Sequence, residues 1–324
     1  MICSAFAATQ NPPLILLNGF IASLAAFDIT QQHKDYPISK KFTLIGGKVV
    51  PAFLASLVIA SLPIVYFLYT LGVANPIAAG GAASPALITS DRLESLFLDL
   101  NMGMVVAALG IFAGITFVLL ASLAESKFSI WNGVVVRHWF LIACVFLSIT
   151  LALPTLSTTN WNHGHSVYSR YAYWLGIPLI YGLVVSMHSL SSRIRLVASL
   201  AIISIQLITV AYYGLFGKNW RSDYTKFKPI SNYVLRNYPQ LYNPIPEIFI
   251  ERLNNKEGVP KPDNANQPIF AYPSMNQPTK LLLSNTIAGS VASKCPLASR
   301  VSAEDGWAYI NLPPTSKCNL NLTR

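Results

Sequence analysis

Charged side chains are scarce in this sequence. They make up 11% of the 324 residues, whereas 53% are hydrophobic, and soluble domains usually carry about 25% charged residues. This composition excludes an ordinary soluble protein and predicts segments that cross a membrane. The formal net charge of +10 is not gathered into a basic run or face, so the sequence gives no indication of nucleic-acid binding.

Motifs of the common soluble enzymes are also missing. The sequence has no P-loop, dinucleotide fingerprint, haem motif or Ser-His-Asp pattern, and no HExxH or CxxC pair of a zinc site. His163 and His165 could supply two zinc ligands, but a catalytic zinc needs a third protein ligand. We therefore predict no metal centre and no cofactor, and leave a divalent cation bound by loop carboxylates as the alternative.

Long apolar runs occupy the first two thirds of the chain. Six of them approach or exceed the roughly 20 residues that a helix needs to cross a bilayer. They cover residues 12–28, 49–74, 103–124, 136–154, 171–188 and 196–215. The first is short and ends at Asp28, so whether it spans is left open, while Gly110 and Gly114 have the spacing of closely packed helices. We predict an all-α membrane helix bundle of about six spans over residues 1–215.

Basic residues are distributed unevenly between alternate loops, which predicts the orientation. Loops on one side carry eight, and loops on the other carry two, Arg92 and Arg170. The eight are Lys34, Lys40, Lys41, Lys48, Lys127, Arg137, Arg193 and Arg195. The richer side is therefore predicted to be cytoplasmic, so everything after Leu215 lies outside. The N-terminus also comes out on the outside, although its first residues do not match a cleavable signal peptide.

The composition changes at about Gly217. Residues 216–324 are rich in Pro, Asn, Ser and Lys, and their short apolar runs are separated by turn-forming residues. IFAYP, KLLLSN and WAYINLP are predicted to be strands, and KPISNYVLRN could form a short helix. We predict a small extracytoplasmic C-terminal domain that is rich in β-strands. Because an oxidising compartment favours disulfides in small domains, we expect Cys295 and Cys318 to be bonded.

The first outer loop, SDRLESLFLDLNMGM at residues 90–104, could carry chemistry. Asp91, Arg92, Glu94 and Asp99 are spaced so that several share one face of a short helix on the membrane. Carboxylates there can act as bases or coordinate a cation, and they can equally form the solvated face of an interfacial helix. Asp91 and Asp99 are the candidates for a catalytic base. Candidate substrate contacts are Arg92 and Asn101.

The second outer loop enters the fifth predicted span as NHGHSVYSRYAYWLG, residues 162–176. Tyr and Trp gather at membrane interfaces because their rings are amphipathic, which explains much of this cluster. Arg170 is different, because it is the one basic residue of its loop and lies on the side that basic residues avoid. Its guanidinium could hold a lipid phosphate or act as an interfacial anchor. The ligand-binding candidates are His163, His165, Tyr168, Arg170 and Tyr171.

Three stretches together resemble bacterial membrane proteins of the GT-C glycosyltransferase type. They are FLDLNMGM, NHGHSVYSRYAYWLGIPLI and LRNYPQLYNPIPEIFIER. The resemblance covers roughly residues 85–255 and rests on an RYA-WL--PL pattern from Arg170 and a YNP-PE-F-ER pattern from Tyr242. It implies an enzyme of the bacterial plasma membrane that transfers a sugar from a polyprenyl-phosphate donor at the extracytoplasmic face.

The chain departs from that family at its N-terminal end. Members place a catalytic carboxylate in the first outer loop, after a first helix that starts in the cytoplasm. This chain starts outside and has fewer spans, so it resembles the C-terminal half of such a protein, with activity alone left open. The partners implied are membrane lipid, a lipid-linked sugar and an N-terminal companion polypeptide. The alternative is a non-catalytic assembly or scaffold protein whose exported tail binds a partner.

Overall fold

A computed structural model describes the protein over residues 1–10, 14–125, 138–162, 171–216, 225–256, 268–295 and 297–312. These ranges are mostly helical, with a four-stranded antiparallel sheet towards the C-terminus. Helices α1 to α10 are Ile2–Gln10, Ile15–Gln32, Ile38–Leu71, Pro76–Ala79, Ser90–Leu98, Met104–Ala107, Leu109–Glu125, Trp139–Leu156, Ala172–Met187 and Ser192–Phe216. Helices α11 to α13 are Pro229–Asn237, Pro246–Asn254 and Asn285–Ser293, and strands β1 to β4 are Phe270–Tyr272, Lys280–Ser284, Ser299–Ser302 and Trp307–Asn311.

Three of these helices are long and apolar enough to cross a bilayer. They are α3, α8 and the Ser192–Tyr213 part of α10. Helices α7 and α9 are apolar but shorter, and α2 corresponds to the first predicted span. Each predicted span therefore falls on helical structure, the third one on α6 and α7 together, and the helices are consistent with an integral membrane protein. A count of six crossings stays a prediction.

Helix α3 begins well before the span predicted from hydropathy. Lys40, Lys41 and Lys48, which we predicted to lie in a loop, are helical. Pro37 stands at the N-cap, just outside the helix, and lacks a backbone N–H that would need a partner. Gly72 ends the helix with φ 70°, a left-handed conformation that glycine adopts without a steric penalty. Hydropathy alone missed this start because lysines lower it without breaking a helix.

Glycines allow the apolar helices to approach one another closely. A Cβ atom at Gly110 would lie 2.8 Å from the carbonyl oxygen of Ile202 on α10, and one at Gly114 would lie 2.7 Å from Leu183 on α9. A Cβ at Gly182 would lie 2.8 Å from the Cβ of Cys144 on α8. The close packing predicted from the spacing of Gly110 and Gly114 is confirmed.

The C-terminal sheet has the strand order β1-β2-β4-β3. Alternate residues of β2 face opposite sides: Leu282 packs in a cluster with Phe249 of α12, and Leu281 packs in a cluster with Ala288 of α13. The strands predicted from IFAYP, KLLLSN and WAYINLP are confirmed as β1, β2 and β4, and the predicted short helix is α11. Because α12 and α13 accompany the sheet, this region is a mixed helix and sheet unit rather than a β-rich one.

The C-terminal unit shares a hydrophobic core with the apolar helices. Ile245 and Ile248 of the tail are buried in one cluster with Leu96 of α5 and Leu147 of α8. Burial of each such side chain stabilises the folded state by about 1.5–3 kcal/mol. The predicted boundary near residue 215 coincides with the end of α10 at Phe216. The tail beyond it is packed onto the helices.

The disulfide of the tail can be tested directly. Cys295 is disulfide-bonded, whereas Cys3 and Cys144 are free thiols. Its predicted partner, Cys318, lies outside the described residues, so this pairing stays a prediction. Closing a loop of that length should stabilise the fold by about 3 kcal/mol. Alkylation of the unfolded protein without reductant should modify Cys3 and Cys144 and leave a Cys295–Cys318 peptide pair; alkylated Cys318 would contradict the pairing.

The predicted orientation has its own test. Alkaline phosphatase is active only after export, so a fusion after Gly217 should be active and a fusion after Arg195 inactive. The reason is the eight-to-two distribution of basic residues between the loops. Expression of both fusions is compared by immunoblot as the control. The opposite pattern would place the tail in the cytoplasm and overturn the outer-face assignments.

Candidate functional site

A buried polar cluster lies where the first predicted outer loop, the end of α8 and the tail meet. We call it the junction cluster. Its members are Arg92, Asp99, Asn101, Trp161, Asn162, Lys228, Ser231, Tyr242, Glu247, Glu251 and Arg252. All three stretches on which the family resemblance rests contribute, through Asp99, Asn162 and Glu251 for example. Those three residues are 6%, 1% and 1% exposed, so their polar groups must find partners within the protein.

Helix α5 positions the part of the cluster that comes from the first loop. Thr89 caps it by accepting the backbone N–H of Arg92, and Asp91 lies in the first turn, where the helix dipole favours an acid. Arg92 and Asp99 share a face, as their spacing predicts, but that face is buried in the protein. Elsewhere on the helix, Asp91 is partly exposed and Glu94 is exposed. The prediction that several of the four share one face therefore holds for Arg92 and Asp99, and that face is packed inside the protein and is not the solvated face of an interfacial helix.

Arg92 connects three separate parts of the chain. Its Nη2 lies 2.9 Å from a carboxylate oxygen of Glu247 on α12, and its Nη1 donates to the carbonyl oxygens of Leu156 and Thr158 at 3.1 and 3.3 Å. The guanidinium carbon lies 5.4 Å from the ring centre of Trp161, whose indole N–H donates to Glu247 at 3.2 Å. This charge-assisted network fixes α12 against the end of α8.

Asp99 shapes the turn that follows α5. Its Oδ1 accepts the backbone N–H groups of Asn101 and Met102 at 2.7 and 2.9 Å, and its Oδ2 accepts the Tyr242 hydroxyl at 2.8 Å. Burial raises the pKa of the Asp99 carboxyl, and these hydrogen bonds oppose the rise. A Cβ at Gly103 would lie 2.4 Å from the Asp99 nitrogen, so the turn requires glycine. Since both carboxyl oxygens are engaged, Asp99 has a structural role.

Asn101 joins the first loop to the start of α11. Its Oδ1 accepts the backbone N–H of Lys228 at 2.7 Å and the Ser231 hydroxyl at 2.9 Å. Burial lowers the pKa of Lys228 to about 7, and the positive charge of Arg252 acts in the same direction, whereas Asp99 opposes it. The Lys228 ammonium therefore loses its proton much more readily than an exposed lysine does.

Glu251 lies between partners from two stretches. Asn162 donates to its Oε2 at 2.7 Å, and Arg252 Nη1 lies 3.4 Å from the same oxygen. Among the residues that the structure describes, three buried atoms of the junction cluster have no hydrogen-bond partner: Asn101 Nδ2, Asn162 Oδ1 and Arg252 Nε. An unpaired buried polar group costs about 1–3 kcal/mol, a cost that a bound ligand or water removes. Two of these three atoms are donors, which suits a ligand rich in oxygen.

Several predicted site residues cannot be placed. His163, His165, Tyr168 and Arg170 lie outside the described residues, directly after Asn162 in the chain. Tyr171 is half-buried just before α9. In the part of the chain that the structure describes, no three His, Cys, Asp or Glu side chains are grouped as metal ligands. Binding of a divalent cation stays an alternative prediction.

The sequence did not single out Trp161, Lys228 or Ser231 as site residues. Trp161 stands beside the stretch that begins at Asn162, and Lys228 opens the predicted helix of the tail, but nothing in the local sequence indicates that either is buried. Glu247 and Glu251 were noted within the YNP-PE-F-ER pattern. Their spacing of four residues places them on one face of a helix, which could have identified them as partners for the loops.

No protein family model, curated protein or solved structure matches the chain. Its function must therefore be argued from the residues and geometry of the junction cluster.

Proposed function

We propose that this protein binds a polyprenyl-phosphate-linked sugar at the outer face of a bacterial plasma membrane, in the manner of a GT-C-type glycosyltransferase. The observation that carries the proposal is the composition of the junction cluster. Three stretches separated by up to about 150 residues, chosen only by their resemblance to that family, meet in one buried polar assembly. Arg170 follows Asn162, a member of that assembly, by eight positions in the chain.

The donors of this region suit a phosphate-linked sugar. Arg252 Nε and Asn101 Nδ2 are buried donors that make no hydrogen bond to any described part of the chain. A phosphate or sugar hydroxyl oxygen could pair with such donors, and arginine is favoured wherever a phosphate is held by a planar fork. We propose that Arg170 holds the phosphate, since it is the cation predicted to lie at headgroup depth.

Three acids of the junction cluster are already engaged within the protein, which favours a binding role for this chain over a catalytic one. Asp99 and Glu251 are buried and accept hydrogen bonds from Tyr242 and Asn162 respectively, and Glu247 is paired with Arg92. None of these three is free to act as a base. We propose that a companion polypeptide supplies the catalytic carboxylate, and that this chain binds the donor.

Binding of the donor is the direct test. A short-chain polyprenyl-phosphate sugar should bind purified protein about ten- to a hundredfold more weakly after Arg170→Gln, because a charge-assisted hydrogen bond is worth roughly 1.5–3 kcal/mol. Arg170→Lys should recover part of the loss, since lysine keeps the charge without the fork. Arg193→Gln, an exposed residue on the predicted cytoplasmic side, is the matched control.

Equal affinity in all four proteins would reject the phosphate role. Arg170 would then be an interfacial anchor, for which Arg170→Lys behaves as the wild type and Arg170→Gln alters expression. Matched folding of the variants is checked by their size-exclusion profiles and thermal unfolding in the same detergent.

A non-catalytic scaffold is the second candidate function. The pairing of Glu247 with Arg92 and of Glu251 with Asn162 favours it, since such internal networks also fix one domain on another. A scaffold would bind no lipid-linked sugar in the experiment above. It would instead retain a partner protein through its tail.

A further inference from the structure

A groove of about 490 Å³ lies among α6, α7, α9 and α10, apart from the junction cluster. Its walls are apolar except for Ser199 and Gln206. The side chains that matter here are those of Met104, Ile111, Ile177, Ile180, Val184 and Ile203. Water is held poorly in such a space, because it would have few polar partners.

One wall of the groove contains a break between two helices, which a side chain of α10 bridges. Helix α6 ends at Ala107 and α7 begins at Leu109. Gln206 of α10 bridges the break: its Nε2 donates to the Ala107 carbonyl at 2.7 Å, and its Oε1 accepts the Gly110 N–H at 3.2 Å. Backbone groups freed within apolar surroundings must be paired in this way. The amide of Gln206 is therefore engaged, and the groove offers a ligand mainly hydrocarbon contacts.

The dimensions fit one hydrocarbon chain. Along α9 the lining extends from Gly176 to Met187, which is roughly 16 Å at 1.5 Å per residue. That length is about half of a hydrocarbon core of roughly 30 Å, the depth of one leaflet. Since an apolar cavity of about 150 Å³ accommodates benzene, the groove has room for roughly 20 carbon atoms.

The groove is open along α9. Ile177, Ile180 and Val184 border it and are 60%, 49% and 50% exposed. Helix α10 on its other side is one of the helices apolar enough to cross a bilayer. In a membrane, the space in front of such side chains is filled by lipid chains. The occupant is therefore drawn from the bilayer itself.

We infer that this groove binds one acyl chain of a bilayer phospholipid. A phospholipid chain has the length of one leaflet and the number of carbon atoms that the groove accommodates. A polyprenyl chain, with a methyl branch in every isoprene unit and more carbon atoms, would overfill it. The inference does not depend on the proposed binding of a lipid-linked sugar.

Photolabelling tests the site in the unmodified protein. The full chain is reconstituted with a phospholipid that carries a diazirine midway along one acyl chain, irradiated, and analysed by peptide mass spectrometry. Labels should concentrate on Ile180, Val184 and Ile203. Tyr181 and Leu207 are also exposed, at 56% and 63%, but lie outside the groove, and they should be labelled several-fold less. Equal labelling of both sets would overturn the inference.

Filling the groove provides a second test. Ile203→Trp should lower the phospholipid retained after purification, and the label in the groove, by about tenfold or more, since two lost methylene contacts suffice for that factor. Leu207→Trp, one turn further along the same helix, should change neither. If Ile203→Trp does not fold, Ile180→Phe replaces it.

Two further outcomes would contradict the inference. Ile203→Trp with unchanged phospholipid would exclude the groove as the site, and a polyprenyl chain retained there would exclude an acyl chain. Arg170→Gln separates this site from the proposed function, because it should weaken binding of the lipid-linked sugar and leave acyl-chain labelling unchanged.

Discussion

Replacing Arg92 with methionine should destabilise the protein by about 3–5 kcal/mol, the usual effect of removing one partner of a buried ion pair. The side chains of Arg92 and Glu247 are 11% and 17% exposed, and their closest atoms lie 2.9 Å apart. Methionine would leave Glu247 without its cation and would remove the donor to the carbonyls of Leu156 and Thr158. The first loop would lose the polar contacts that Arg92 makes with the end of α8 and with α12.

The measurement is the free energy of unfolding of the full chain in one detergent. Arg300→Met is the matched control, because Arg300 is exposed on β3 and contacts Asn285; it should change stability by no more than about 1 kcal/mol. In a double-mutant cycle, Arg92→Met and Glu247→Gln together should destabilise less than the sum of the two, by about 1–3 kcal/mol. Additive effects, or an Arg92→Met variant as stable as the control, would show that the pair does not hold the junction together.

The apolar helices could be predicted from the sequence because a helix that crosses a bilayer needs a long run of apolar residues, which hydropathy detects directly. Each predicted run falls on helical structure, although the run over 103–124 is divided between α6 and α7. Helix ends were less predictable. The lysines at the start of α3 were predicted to lie in a loop, since hydropathy measures partition into lipid and not helix formation.

In the tail, elements with a clear local sequence pattern were predicted, and an element without one was missed. Strands β1, β2 and β4 were predicted because their apolar runs stand between turn-forming residues. All four residues of strand β3 are exposed, so no buried apolar side indicates the strand. Helix α12 carries start and stop signals that were overlooked, namely Pro246 at the first turn, Glu247 beside it and Arg252 in the last turn.

The junction cluster could not be predicted because its contacts join distant parts of the chain. Asp99 and Tyr242 are 143 positions apart, and Asn162 and Glu251 are 89 apart. A sequence shows which polar residues lie near an apolar segment, but it doesn't show which distant residue pairs with them. The three stretches of the family resemblance were grouped by their sequence patterns, and the contacts between them became visible only in the fold.

A second large effect is expected at Lys280 in the centre of the tail. This lysine is fully buried on β2, 4.8 Å from the ring centre of Tyr309. Its Nζ donates to Asn243 Oδ1 at 2.6 Å and to Asn311 Oδ1. Burial lowers the pKa of Lys280 to about 6, so the folded protein holds a neutral amine at pH values where an exposed lysine is charged.

The stability of the tail should therefore rise with pH. An unfolded lysine titrates near pH 10.4, so between about pH 6 and that value the unfolded chain binds more protons than the folded one, and stability increases as the pH is raised. The stabilisation is complete above the unfolded pKa and is lost as the pH falls towards the folded pKa. From pH 7 to pH 9 the gain from Lys280 should be on the order of 3 kcal/mol.

Lys280→Met removes this titrating amine. Most of the increase in the free energy of unfolding with pH, the slope of that dependence, should therefore disappear. Unfolding of the full chain in detergent is followed at pH 7, 8 and 9 by the fluorescence of its tryptophans, of which Trp307 is buried beside β2. Lys294→Met, an exposed lysine of the same region, should keep the wild-type slope. Lys228, whose pKa is lowered to about 7, is present in all three proteins, so the difference between slopes belongs to Lys280. Identical slopes in the wild type and Lys280→Met would mean that the buried amine keeps its proton when the protein folds, held by the two asparagine oxygens.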